Sequence, residues 1–246
     1  KGLFTKEIDL AQLENKVDVG IHSLKDLPTR LPNGLEIVSI LKRGSHEDVL
    51  YSDQNLPIKE LKKKSIVGTS SIRRKNQILK LRPDLIFKDL RGNVDSRIGK
   101  VQKGKLDAII LAKSGLERLG VKENYLSLDP DVIVPAVGQG AIALVVNVKN
   151  LIVKKILKSL NDKDTFIEVS CERAFLEALD GSCKTPVGAF AKRDKKGKKK
   201  FINFRYFAST LNGKNFISDK KKIILSNCLD ESYNLGKDVK RQLKLV

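Results

Sequence analysis

What this sequence lacks narrows its class first. No apolar run approaches the ~20 residues needed to cross a bilayer. No basic-then-apolar leader opens the chain, so a cytoplasmic protein with no membrane partner is expected. Cysteine is scarce: the residues at 171, 183 and 228 are odd in number and fit neither a disulfide framework nor a zinc spacing. Only two histidines are present, so no metal site is expected. Aromatic residues make up 5% of the chain, which offers few platforms for stacking bases. The first residues, Lys1-Gly2-Leu3-Phe4, include no methionine, and further residues upstream are expected.

What is present describes a globular chain. Its 246 residues are 41% hydrophobic and 31% charged, enough to bury a sizeable core. Lys and Arg number 48 against 29 Asp and Glu, a formal charge of +19. Much of the excess lies in lysine runs, at Lys62-Lys63-Lys64, across 192–200 and at Lys220-Lys221-Lys222. Such runs more often face solvent than nucleic acid, and no nucleic-acid partner is expected. The rival reading, an RNA- or DNA-binding protein using the late lysines, predicts steeply salt-dependent binding.

Helical periods alternate with short β-rich runs, the pattern of an α/β protein with largely parallel sheets. A helix is expected from a Thr5 cap to about residue 16, and a strand through Val17, Val19 and Ile21. Strands are also expected over 35–41, 65–68, 85–87, 106–112 and 141–148, with a helix after Ser71 that Pro83 stops. A second style begins near 164. Thr165 and Glu168 read as a capping box for a helix ended by Gly181. Short strands follow at 185–191, 201–209, 216–218 and 223–225, then a helix over about 232–245.

Several features could carry chemistry. Arg73 and Arg74 fall in the first turn of a helix, where the dipole and free N–H groups favour anions. Two cations there lower stability unless an anion joins them. Thr69, Ser70 and Ser71 add hydroxyls at the same place, making a candidate carboxylate or phosphate site. The plain alternative is two solvated arginines. Arg91, Arg97 and Arg118 sit in loops or at element ends, where open α/β sheets hold ligands. Asp26, in Ser23-Leu24-Lys25-Asp26, ends a strand and could stabilise a developing cation, or simply cap a turn. Cys183 lies in a loop beside Lys184, where a thiolate is favoured.

These pieces, in order, resemble the hydroxymethylbilane synthase (porphobilinogen deaminase) family. The matching runs begin with Lys1-Gly2-Leu3-Phe4, His22-Ser23-Leu24-Lys25-Asp26-Leu27-Pro28 and Gly68-Thr69-Ser70-Ser71-Ile72-Arg73-Arg74. They continue with Leu90-Arg91-Gly92-Asn93-Val94, Pro135-Ala136-Val137-Gly138-Gln139-Gly140-Ala141, Glu172-Arg173-Ala174-Phe175 and Gly181-Ser182-Cys183-Lys184-Thr185-Pro186-Val187-Gly188. The match runs from residue 1 to about 191.

The resemblance implies a transferase that condenses porphobilinogen units head to tail with loss of ammonia. It implies a dipyrromethane cofactor held by a thioether on Cys183, with Asp26 catalytic. Lys25, Arg73 and Arg74, with Thr69, Ser70 and Ser71, would bind the cofactor's acidic side chains; Arg91, Arg97, Arg118 and Lys1 would bind substrate. It implies a monomer of two periplasmic-binding-protein-like α/β domains around a cleft plus a small α+β domain. By the same resemblance, domain 1 would be 1–41 and 138–161, domain 2 would be 42–137, and domain 3, bearing the cysteine, 162–246. The family's N-terminal strand, with an Arg and a Ser that contact ligand, would precede Lys1, so a chain beginning there is expected to be inactive or poorly folded. A non-catalytic polycarboxylate-binding protein is the remaining alternative, sharing the arginines but needing no Cys183.

Overall fold

The structure is a computed structural model that describes residues 3–180, 185–194 and 200–245. The fold is mixed α/β, built on three sheets. The first has the order β1 (Val19–Ser23), β8 (Ile142–Asn147), β2 (Leu35–Ile40), with helix α1 (Leu3–Leu13) beside it. The second has five strands in the order β5 (Ile86–Lys88), β4 (Ile66–Gly68), β6 (Ala108–Ala112), β3 (Asp48–Tyr51), β7 (Tyr125–Ser127). Helices α2 (Ile72–Leu81), α3 (Val94–Gln102) and α4 (Lys113–Arg118) belong to this stretch, and α5 (Leu151–Leu157) follows β8. In the third, β9 (Val187–Arg193), β10 (Phe201–Ser209) and β11 (Phe216–Ile224) form a meander under α6 (Lys163–Ala178) and α7 (Cys228–Leu243).

The expectation of largely parallel sheets is corrected. Only the β4 pairings with β5 and β6 are parallel, and every other described pairing is antiparallel. The short strands β3 and β7 had no sequence signal and add the antiparallel edge. The runs at 216–218 and 223–225 are one strand, because the intervening Asp219 and lysines continue the ladder with β10. Thr5 lies inside α1 rather than capping it. The capping box is not formed either. Asp162 is the N-cap, accepting from the Thr165 N–H at 2.8 Å, while Glu168 accepts from the Arg193 N–H at 2.9 Å. The alternation in β1 is real but faces outward: Ile21 is 68% exposed, whereas Gly20 and His22 are buried.

The chain leaves the first sheet after β2, builds the five-stranded sheet, and returns to β8. The two crossing stretches, 41–47 and 135–141, run side by side, with the Gly44 N–H donating to the Gly140 carbonyl at 3.0 Å. Gly140 has φ +85°, and a Cβ there would lie 2.5 Å from the Ser45 carbonyl oxygen, so only glycine allows this approach. Buried apolar residues line both faces of the five-stranded sheet. Beneath the third sheet Phe175 packs against Phe204 and Tyr206, with ring centroids 5.5 and 5.3 Å apart. No helix among the described residues is long and apolar enough to cross a membrane.

Candidate functional site

A cavity of about 930 Å³ opens between these elements. Its walls gather Lys25 and Asp26 from the turn after β1, Ser71, Arg73 and Arg74 from the start of α2, and Arg97 from α3. Local sequence explains the first pair. Leu24 and Leu27 are buried on either side, and the Leu24 N–H donates to the Ala141 carbonyl at 3.0 Å. The turn Leu24–Asp26 therefore anchors on its leucines and leaves Lys25 half-buried and Asp26 exposed at the cavity.

Helix α2 begins where the parallel strand β4 ends. Ser71 caps it, its Oγ accepting from the Arg74 N–H at 3.4 Å. The neighbouring hydroxyls are engaged within the protein: Thr69 Oγ1 accepts from the Ser71 N–H at 3.2 Å, and Ser70 Oγ donates to the Leu90 carbonyl at 2.8 Å. Thr69 and Ser70 shape the turn and are not on the cavity wall.

Arg73 and Arg74 are not solvated; both are buried, and the anion that meets them is Asp48, the first residue of β3. Arg73 Nη1 donates to Asp48 Oδ2 at 2.8 Å and to the Val134 carbonyl at 2.6 Å. Arg74 donates to Asp48 Oδ1 from Nε at 3.0 Å and Nη2 at 2.7 Å, and from Nη1 to the Ile110 carbonyl at 3.0 Å. Burial alone would raise the Asp48 carboxyl, but the charges and hydrogen bonds of Arg73 and Arg74 outweigh it and hold it well below the usual carboxylate range. Asp48 was missed from sequence because a four-residue strand with no alternation gives no periodic signal.

One carboxylate between two guanidiniums leaves the cluster cationic, and two more cations face it. Lys25 is lowered to about 8, first by burial and then by the charge of Arg74, against opposing pulls from Asp26 and Asp48. Arg97 is lowered by burial and by Arg74, and its Nε donates to the Gly92 carbonyl at 2.8 Å. Cations crowded at this density favour an anionic guest, and planar guanidiniums suit carboxylates.

Other expected residues stand elsewhere. Arg91 and Arg118 are exposed and do not line the cavity. Lys1 and Cys183 lie outside the described residues, but Thr185, two positions beyond Cys183, is on the cavity wall. Lys6, Asp9 and Arg30 also line it and were not anticipated. Among the described residues no group of three His, Cys, Asp or Glu side chains is placed to hold a metal.

Two family models cover almost the whole chain: "Porphobilinogen deaminase, dipyromethane cofactor binding domain" matches residues 1–167, and "Porphobilinogen deaminase, C-terminal domain" matches 166–244. The chain belongs to the porphobilinogen deaminase family. A porphobilinogen deaminase of Buchnera aphidicola subsp. Acyrthosiphon pisum is 47% identical over 192 residues, covering 78% of this chain and 61% of that protein. One from Oceanobacillus iheyensis is 45% identical over 196 residues, covering 79% and 63%. The chain thus spans about 61–63% of the length of these curated relatives. A solved structure, the ancestral cationic amino acid solute binding protein AncCDT-1, aligns at 12% identity and TM-score 0.45 over 63% of this chain and 66% of that one, too loosely to bear on function. The family match therefore extends past residue 191, where the resemblance read from the motif runs stopped, to residue 244.

Proposed function

We propose that this chain carries the active site of a hydroxymethylbilane synthase, joining porphobilinogen units in tetrapyrrole biosynthesis. The observation that supports it most is a single cavity lined by Asp26, Arg73, Arg74, Arg97 and Thr185 together. We infer a three-part division in which 1–41 with 138–161, 42–137 and 162–246 form separate units. We also infer a cytoplasmic monomer, on family membership.

The residues present suit a dipyrromethane linked to Cys183, because a cavity rich in cations fits a group bearing several carboxylates. When bound, that group would supply the free pyrrole carbon that accepts the first unit, each later unit joining the pyrrole added before it. Arg73, Arg74 and Lys25 are the residues that hold acidic side chains of the cofactor and of the unit joining it, with Ser71 beside them. Arg97 holds the incoming porphobilinogen, and the family resemblance adds Lys1 as a substrate-binding residue. Arg91 and Arg118, exposed beyond the cavity, are left to meet carboxylates outside it.

In the reaction the carbon–nitrogen bond of the substrate's aminomethyl group breaks, and the electron pair leaves with ammonia. The methylene carbon left behind is electrophilic and conjugated to the pyrrole, so positive charge spreads to the ring nitrogen. Asp26, at the cavity wall and without an ion pair among the described residues, stabilises that charge. The acceptor pyrrole would supply the carbon for the new carbon–carbon bond, its α-proton passing to the released ammonia as ammonium, while Arg73, Arg74 and Lys25 hold the acidic side chains in place. Catalysis is electrostatic at Asp26 and positional at the arginines.

Intact mass of the full-length protein tests the proposal. A covalent adduct of dipyrromethane mass that maps to Cys183, growing by porphobilinogen-derived units on substrate addition, is the expected result. An unmodified Cys183 thiol in protein that turns over porphobilinogen would refute it.

A further inference from the structure

Arg73 and Arg74 are long, adjacent and of like charge, and they could splay over many rotamers. Their mutual repulsion and side-chain entropy both oppose a shared orientation. The structure nevertheless gives them one. Each oxygen of Asp48 takes a guanidinium: Oδ2 receives Arg73, and Oδ1 receives Arg74 by two N–H groups. Gln139, fully buried in the returning crossing stretch, donates from Nε2 to Oδ1 at 2.9 Å and to the His46 carbonyl at 2.8 Å. The carboxylate is thus fixed on both sides, at 0% exposure.

What the arginines do not spend on Asp48 is equally specific. Arg73 uses only Nη1, so among the described residues its Nε and Nη2 have no protein partner. Arg74 keeps one hydrogen on each terminal nitrogen beyond its bonds to Asp48 and Ile110. Both side chains line the cavity. Neutralising one of two charges leaves a net positive pair, so a carboxylate guest is still attracted.

We propose that Asp48 is a positioning residue, which orients the Arg73 and Arg74 forks so that their remaining N–H groups meet the carboxylates of the guest in the cavity. It does not touch the guest; it acts through the arginines. The inference rests on the synthase reading above and adds a residue that the motif runs do not contain. A carboxylate oriented in advance lets the guest find its donors already aimed, without ordering two flexible side chains on arrival.

Steady-state kinetics with porphobilinogen on the full-length protein test this, comparing wild type, Asp48→Asn and Asp48→Glu. Asp48→Asn keeps the shape but replaces one acceptor oxygen by a donor facing a guanidinium. It is expected to raise KM at least tenfold while lowering kcat less than threefold, with the Asp48→Glu variant, which keeps the charge, recovering KM to within threefold of wild type. A folded Asp48→Asn protein with KM within twofold of wild type would overturn the inference. If wild type shows no turnover, the synthase reading fails, and Asp48 is then judged by calorimetric titration of citrate as the carboxylate probe: equal affinity of wild type and variant overturns it. Should the variants not fold, guanidinium NMR of the wild-type protein decides. Arg74 Nε–H exchanging with solvent much more slowly than Arg91 Nε–H upholds the inference, and equal exchange rates refute it.

Discussion

The carboxylate of Glu172 takes two hydrogen bonds from the Arg43 guanidinium, at 2.6 and 3.2 Å, across 129 residues of sequence. It also accepts from the Gly138 N–H at 2.8 Å and the Ala191 N–H at 2.9 Å. One side chain of α6 therefore ties both crossing stretches to the third sheet. The pair is closed to water, at 5% and 0% side-chain exposure.

Removing one partner should strand the other in a dry site. Glu172→Ala is expected to lose about 3–5 kcal/mol of stability, the range for breaking a buried ion pair from one side. Urea denaturation of the variant against wild type measures this; a loss under about 1 kcal/mol would place the pair with exposed bridges instead.

Asp26 stands exposed between buried leucines, so the fold does not depend on its side chain. Asp26→Asn is expected to lower kcat by roughly 100- to 10,000-fold, as for loss of one charge-stabilising group, while leaving the circular dichroism unchanged. Stopped assays of porphobilinogen consumption give the ratio, and activity within tenfold of wild type would remove Asp26 from the chemistry.

Lys25 carries a pH dependence. In the free protein it loses its proton near 8, below the usual lysine value, because burial and Arg74 disfavour the charge. An unfolded chain binds more protons at Lys25 between about 8 and the ordinary lysine value of 10.5, so this group's penalty on folding is relieved as pH rises through that window. Guest binding follows the opposite sign, since a carboxylate needs Lys25 charged. KM is expected to rise above pH 8, and Lys25→Arg should move that inflection to higher pH. An unchanged KM profile in the variant would rule Lys25 out as its origin.

His46, which does not line the cavity, gives a second titration. It stacks on Phe190 at 3.9 Å, and burial, followed by the charge of Arg43 among nearby cations, lowers it to about 4 against a pull from Glu47. The unfolded chain binds the extra proton between the ordinary histidine value of 6.5 and about 4, so stability falls as pH drops through that window. His46→Phe should flatten that fall in thermal melts between pH 6.5 and 4; an identical slope would assign the acid sensitivity to other groups.

The arginine site was legible because cations in the first turn of α2 contradict the helix dipole, and a contradiction of that kind points to an anion. Its partner was not legible. Asp48 lies 25 residues earlier in a strand too short to show a period, and only the β3–β6 pairing brings it under α2. The Thr165 and Glu168 pattern misled for a different reason: Asp162 competes for the same N–H, and a tertiary ladder claims Glu168. In β1 the period was visible but the buried face was not, since Gly20 and His22 pack inward and leave Ile21 to solvent. The order of the motif runs carried the family, while the neighbourhood of Cys183 is reached only through Thr185.

The hydrogen bond between Gly44 and Gly140 means that the polypeptide enters and leaves the five-stranded unit through one doorway. Residues 45–139 have their ends side by side, the geometric condition for excising the unit or rejoining its termini in a new order. The guanidinium half of the cavity and the Asp26 half could then be prepared as separate pieces. Mixing them would ask whether carboxylate recognition belongs to one piece alone or arises only on their reunion.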